Sequence, residues 1–124
     1  MTTTVYFATN RAVNAPRDRT GSYTHNIVSP LRPQDITYGT AFVDTADLTA
    51  DSVGAITSIH DLQQGGFAQS TIDDLSAGTR DILVFIHGFA NSFENAITRA
   101  AFNREWLFEG GADTAVVAFS WPSR

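Results

Sequence analysis

The sequence has 124 residues, 43% of them hydrophobic and 17% charged, which suits one globular domain with a single apolar core and excludes a second. Eight basic residues, all arginine, stand against thirteen acidic ones; the net charge of −5 repels phosphate backbones and argues against a nucleic-acid partner, and the lack of lysine removes Schiff-base chemistry. Without cysteine there is no disulfide, thiolate nucleophile or zinc knuckle.

The opening "MTTTVYFATNR" has no basic segment leading into an apolar one, and no stretch approaches the ~18 apolar residues of a membrane span, so the cytoplasm is the expected address. "VYFA" at 5–8 predicts a short strand. The polar segment after it, "NRAVNAPRDRTGSYTHNIVSP", reads as a loop broken by Pro16, Gly21 and Pro30. "TYGTAFV" at 37–43 predicts a second strand with a bulge at Gly39, and "AITSIH" at 55–60 a third. Phe67, Ser70 or Thr71, and Leu75 recur at helical spacing before Gly78, which predicts a short helix. Residues 1–80 thus read as irregular strands and loops.

From residue 81 the pattern sharpens. "ILVFI" at 82–86 is continuously apolar, β-branched and aromatic, as expected of an interior parallel strand covered on both faces. Asn91 and Ser92 read as caps of the next helix, with Glu94, three residues after Asn91, as the acidic half of a capping box. Phe93, Ala96, Ile97, Ala100, Ala101 and Leu107 then recur at 3.6-residue spacing until Gly110-Gly111, and "TAVVAFSW" follows as another apolar run. Strand, helix and strand over 82–121 make a βαβ unit, so the fold class is α/β. That unit puts His87-Gly88-Phe89 at the carboxyl end of a parallel strand, where open α/β sheets bind ligands. Gly88 permits a tight turn, and amides beyond it can face a cleft, where they would stabilise a developing oxyanion.

The segments "ILVFIHGFANSFENA" and "VVAFSWPS" resemble the α/β-hydrolase superfamily, and within it bacterial esterase/lipase-like hydrolases of unassigned function; "VYFATNR" and the "YG" at 38–39 are similar to that group's amino-terminal end. The resemblance implies an amino-terminal part of an α/β-hydrolase sheet, with the Phe89 N–H as an oxyanion donor, a small ester or acyl substrate and no cofactor. It also implies an order of nucleophile, acid and His downstream of Trp121, with Ser on a G-x-S-x-G or H-S-x-G elbow. No serine here has that setting, and His25, His60 and His87 all lie upstream. The expectation is therefore a serine hydrolase completed by a complementing carboxyl-terminal chain, this chain alone being inactive. In the superfamily's strand order, 82–86 is central, and without its second neighbour an apolar edge lies open. A non-catalytic binding or scaffold module, and an epoxide- or halide-cleaving enzyme with an Asp nucleophile, are the alternatives.

Individual residues carry two readings each. His87 either shapes the corner through a backbone hydrogen bond or touches substrate, and Phe89 either walls the acyl pocket or fills the core. Ala90 and Trp121 are the candidate substrate contacts, Trp121 either walling the cleft or filling the core. Arg11 either grips a substrate carboxylate or forms a surface ion pair. Ser120 and Ser123 read as structural, and Asp44, Asp47 and Asp51, whose spacing fits no calcium loop, as a solvated acidic face, so no metal site is expected.

Overall fold

The computed structural model describes residues 2–29, 32–46, 48–49, 55–77, 81–86, 92–111 and 114–122. Seven strands and two helices run in the order β1 (Thr2–Thr9), β2 (Arg11–Val13), β3 (Tyr23–Ile27), β4 (Thr37–Asp44), β5 (Ile56–Gln64), α1 (Gln69–Ser76), β6 (Asp81–Ile86), α2 (Phe93–Glu109) and β7 (Thr114–Ser120). Five strands form one sheet in the order β5-β4-β1-β7-β6, and β2 and β3 pair separately.

β1, β7 and β6 are mutually parallel, while β4 and β5 add antiparallel strands on the other side of β1. The β6-α2-β7 connection is the expected βαβ unit. β1 occupies the middle of the sheet, and the consecutive residues Val5, Tyr6 and Phe7 are all buried, so both its faces are covered. Val5, Phe7, Ala41, Val43, Ile59, Val116 and Ala118 join Phe93, Ile97, Ala100 and Ala101 of α2 in one apolar core. On the opposite face the Tyr6 hydroxyl donates to Asp74 Oδ2 of α1 at 3.1 Å.

The helical periodicity of α2 holds: Phe93, Ala96, Ile97, Ala100 and Ala101 are buried. Of the two residues expected to cap it, one is seen in that role. Ser92, not Asn91, is the N-cap, and its Oγ accepts from the Asn95 N–H at 3.0 Å. Glu94 consequently falls in the first turn rather than at the capping-box position, where its charge still suits the positive end of the helix dipole. Asn91 itself lies outside the described residues.

Two other expectations need correction. The segment read as a polar loop contains the β2–β3 pair, whose Tyr23 ring stacks on Phe93 at 3.9 Å while both rings meet Phe7 edge-on. The irregularity expected at Gly39 sits on the partner strand: between the pairs Tyr38–Gln63 and Thr40–His60, β5 carries one more residue than β4, and Asp61 there has φ +59°. Gly39 is needed for closeness instead, since a Cβ would stand 2.7 Å from the His60 carbonyl oxygen and 2.8 Å from Phe7 Cζ.

In the sheet of the described residues β6 is the edge strand, the open apolar edge expected where its second neighbour is missing. Leu83 and Phe85 pack against the core beneath α2, whereas Ile82, Val84 and Ile86 are 48%, 61% and 66% exposed on the other face. A continuous apolar run reports what a strand is suited to touch, and here the described residues leave about half or more of that second face open.

Candidate functional site

The parallel strands end level with one another. Thr9 of β1 pairs with Ser120 of β7, and Ile86 of β6 pairs with Phe119, so three carboxyl ends share one edge of the sheet. The chain leaves this edge after Ile86 and re-enters described structure at Ser92, the cap of α2. His87, Gly88, Phe89 and Ala90, the expected oxyanion corner and its neighbour, lie outside the described residues, as does Ser123. The described residues form the frame that flanks them in the chain: a strand end before, a helix amino terminus after, with the β1 and β7 ends beside the end of β6.

The best-defined feature of that frame is Arg11. It is no surface ion pair, because it is 1% exposed. Its Nε donates to Ser120 Oγ at 2.8 Å, Nη1 to the Thr24 carbonyl at 3.0 Å, and Nη2 to the Trp121 carbonyl at 2.9 Å. Nη1 also lies 3.4 Å from His25 Nδ1, which can accept only when that nitrogen carries no proton. The Arg11 backbone N–H donates to Thr9 Oγ1 at 3.1 Å, and that hydroxyl donates to the Ser120 carbonyl at 2.6 Å. Burial draws the guanidinium pKa down to about 10, which leaves it fully charged at neutral pH.

These bonds fasten the ends of β1 and β7 and the β2–β3 pair to one another. Ser120 is fully buried and engaged, which agrees with a structural part. Trp121, the expected substrate contact, is half-buried just past β7, with its carbonyl held by Arg11. Sequence reading missed the role of Arg11 because its acceptors come from positions 24, 120 and 121, and only folding joins them. The signal available was the pairing potential of "RAV" with "YTHNI", which would have drawn Arg11 out of the loop.

Asp44 is exposed, and its Oδ1 accepts from the Ala46 N–H at 3.0 Å; Asp47 and Asp51 lie outside the described residues. Among the described residues no group of His, Asp or Glu is disposed to hold a metal ion. No helix among them is long and apolar enough to cross a membrane.

A mixed sheet whose parallel strands end beside the amino terminus of a crossover helix is a partial α/β-hydrolase fold. The chain belongs to a family described as alpha/beta hydrolase of unknown function (DUF900), whose profile matches residues 63–124, from the end of β5 through β7. Comparison with curated proteins and with solved structures gave no match. Membership points to hydrolase chemistry as a class.

Proposed function

We propose that these residues form the amino-terminal portion of a single serine-type α/β-hydrolase domain that cleaves carboxylic esters or related acyl bonds. Residues 1–80 contribute the flanking strands and 81–124 the βαβ core with its oxyanion turn. The observation that supports the reading most is the convergence of three parallel strand ends and the capped amino terminus of α2 on either side of the His87-Gly88-Phe89 segment. Open peptide N–H groups and the helix dipole favour negative charge at such a place.

In this reading the Phe89 N–H donates to the oxyanion, Gly88 permits its approach, His87 fixes the corner, and Ala90 and Trp121 border the acyl group. A Ser nucleophile, an acid and a His base come from polypeptide outside these residues, because the sequence contains no nucleophile elbow. The exposed face of Ile82, Val84 and Ile86 is where that polypeptide packs.

A fluorophosphonate probe applied to the purified protein tests the reading, together with intact-mass analysis for a second chain. Labelling of a serine outside these residues is expected. Hydrolysis of an aryl ester should fall by ~10²–10³ in Phe89→Pro, which deletes the N–H, and little in Phe89→Ala, which keeps it. Equal rates in the two variants remove the oxyanion assignment. A soluble, unlabelled single species of 13.4 kDa would favour a binding module, and epoxide turnover without labelling an Asp nucleophile.

A further inference from the structure

Most buried guanidinium groups answer a carboxylate with a planar fork. Among the described residues the Arg11 fork donates to acceptors from two separate parts of the chain: Ser120 Oγ and the Trp121 carbonyl at the end of β7, and the Thr24 carbonyl in β3. Each of the three nitrogens has an acceptor among these, Nη1 also facing His25 Nδ1, so the acceptors are held relative to one another through the rigid guanidinium plane. The consequence falls on Trp121, which follows the last residue of β7 and has its main chain gripped at the carbonyl.

We infer that Arg11 is a positioning residue that locks the Trp121 corner and the β2–β3 pair to the carboxyl edge of the sheet, so that Trp121 stands as a fixed wall of the cleft and sets the fit of the substrate's acyl group. The inference deepens the hydrolase reading and rests on it where it calls Trp121 a cleft wall; the lock itself does not. Arg11 touches no reacting atom in this scheme. The lock depends on the fork and not on the charge, because a lysine ammonium is a single point that cannot reach Ser120 Oγ, the Thr24 carbonyl and the Trp121 carbonyl together.

The test is hydrogen exchange read by mass spectrometry on the purified protein with any chain that accompanies it, comparing the parent with Arg11→Lys, Arg11→Met and Ser120→Ala. Exchange in segments 23–28 and 118–122 is expected to quicken by about tenfold or more in both Arg11 variants, with α2 unchanged. Ser120→Ala deletes the acceptor of Nε alone and should loosen the same two segments less, which keeps the test decisive if the Arg11 variants fail to fold. Parent-like exchange in these variants overturns the lock. Arg11→Lys restoring both segments while Arg11→Met loosens them overturns the fork argument.

Ester kinetics then address the cleft wall. KM is expected to rise about tenfold in Arg11→Lys with kcat within about twofold of the parent, as for loss of substrate fit. A fall in kcat at unchanged KM overturns that part. Should no serine be labelled by fluorophosphonate, the hydrolase reading fails, and the exchange experiment still decides the lock.

Discussion

Replacing Ile82, Val84 and Ile86 together by threonine separates a face that solvent covers from one that protein covers. Threonine keeps the β-branched shape and strand preference of the originals, so the substitution changes chiefly what the outer face of β6 gains from burial. Fully burying one such side chain is worth ~1.5–3 kcal/mol, and these three retain 48%, 61% and 66% of their exposure. About half of that value therefore remains to be gained at each position, ~1 kcal/mol apiece and ~3 kcal/mol for the triple variant. If further hydrolase polypeptide packs there, the unfolding free energy of the purified protein from urea denaturation should fall by that amount, as a lower midpoint at an unchanged m-value. A change within ~0.5 kcal/mol, the usual range for surface substitutions, would refute the packing of polypeptide on this face and with it the completed-domain reading.

Gly39→Ala should cost ~1–3 kcal/mol in the same assay, since the new methyl meets the His60 carbonyl oxygen at 2.7 Å and the buried Phe7 ring at 2.8 Å; an unchanged midpoint would show that β4 and β5 part without strain. Tyr23 supplies a pH dependence. Its phenol is pushed well above the usual tyrosine range, first by burial, with Asp18 adding to the rise and Arg17 opposing it. A raised folded-state pKa stabilises below the unfolded value and loses that contribution as pH climbs past it, so above pH ~10 the stability advantage of the parent over Tyr23→Phe should shrink by up to ~1.4 kcal/mol per pH unit. Arg11 titrates equally in both proteins and cancels in the difference; parallel stability curves from pH 8 to 11 would exclude a buried phenol.

Local pattern was enough for the elements whose information lies within a few neighbours. The 3.6-residue recurrence from Phe93 to Ala101 specified the buried stripe of α2, and the two apolar runs specified β6 and β7, because side-chain direction follows directly from backbone period. The corner after Ile86 could be proposed as a site for the same reason: a strand, a glycine and a helix start are contiguous in the chain.

Partnership between distant segments was beyond such reading. The short pair β2–β3 has little pattern of its own and is held by Tyr23 stacking on Phe93, seventy residues away in sequence. Whether β6 is interior or edge depends on what lies beside it, and an apolar run is silent on that. Arg11 looked like a surface cation because composition assigns charge to solvent; the fold overrides this by collecting Thr24, Ser120 and Trp121 around one guanidinium. Sequence by itself determined the local conformations and the class of fold, since those follow from periodicity and turn chemistry, while tertiary structure decided which polar groups are buried together, since hydrogen-bond partners far apart in the chain are chosen only when the core closes.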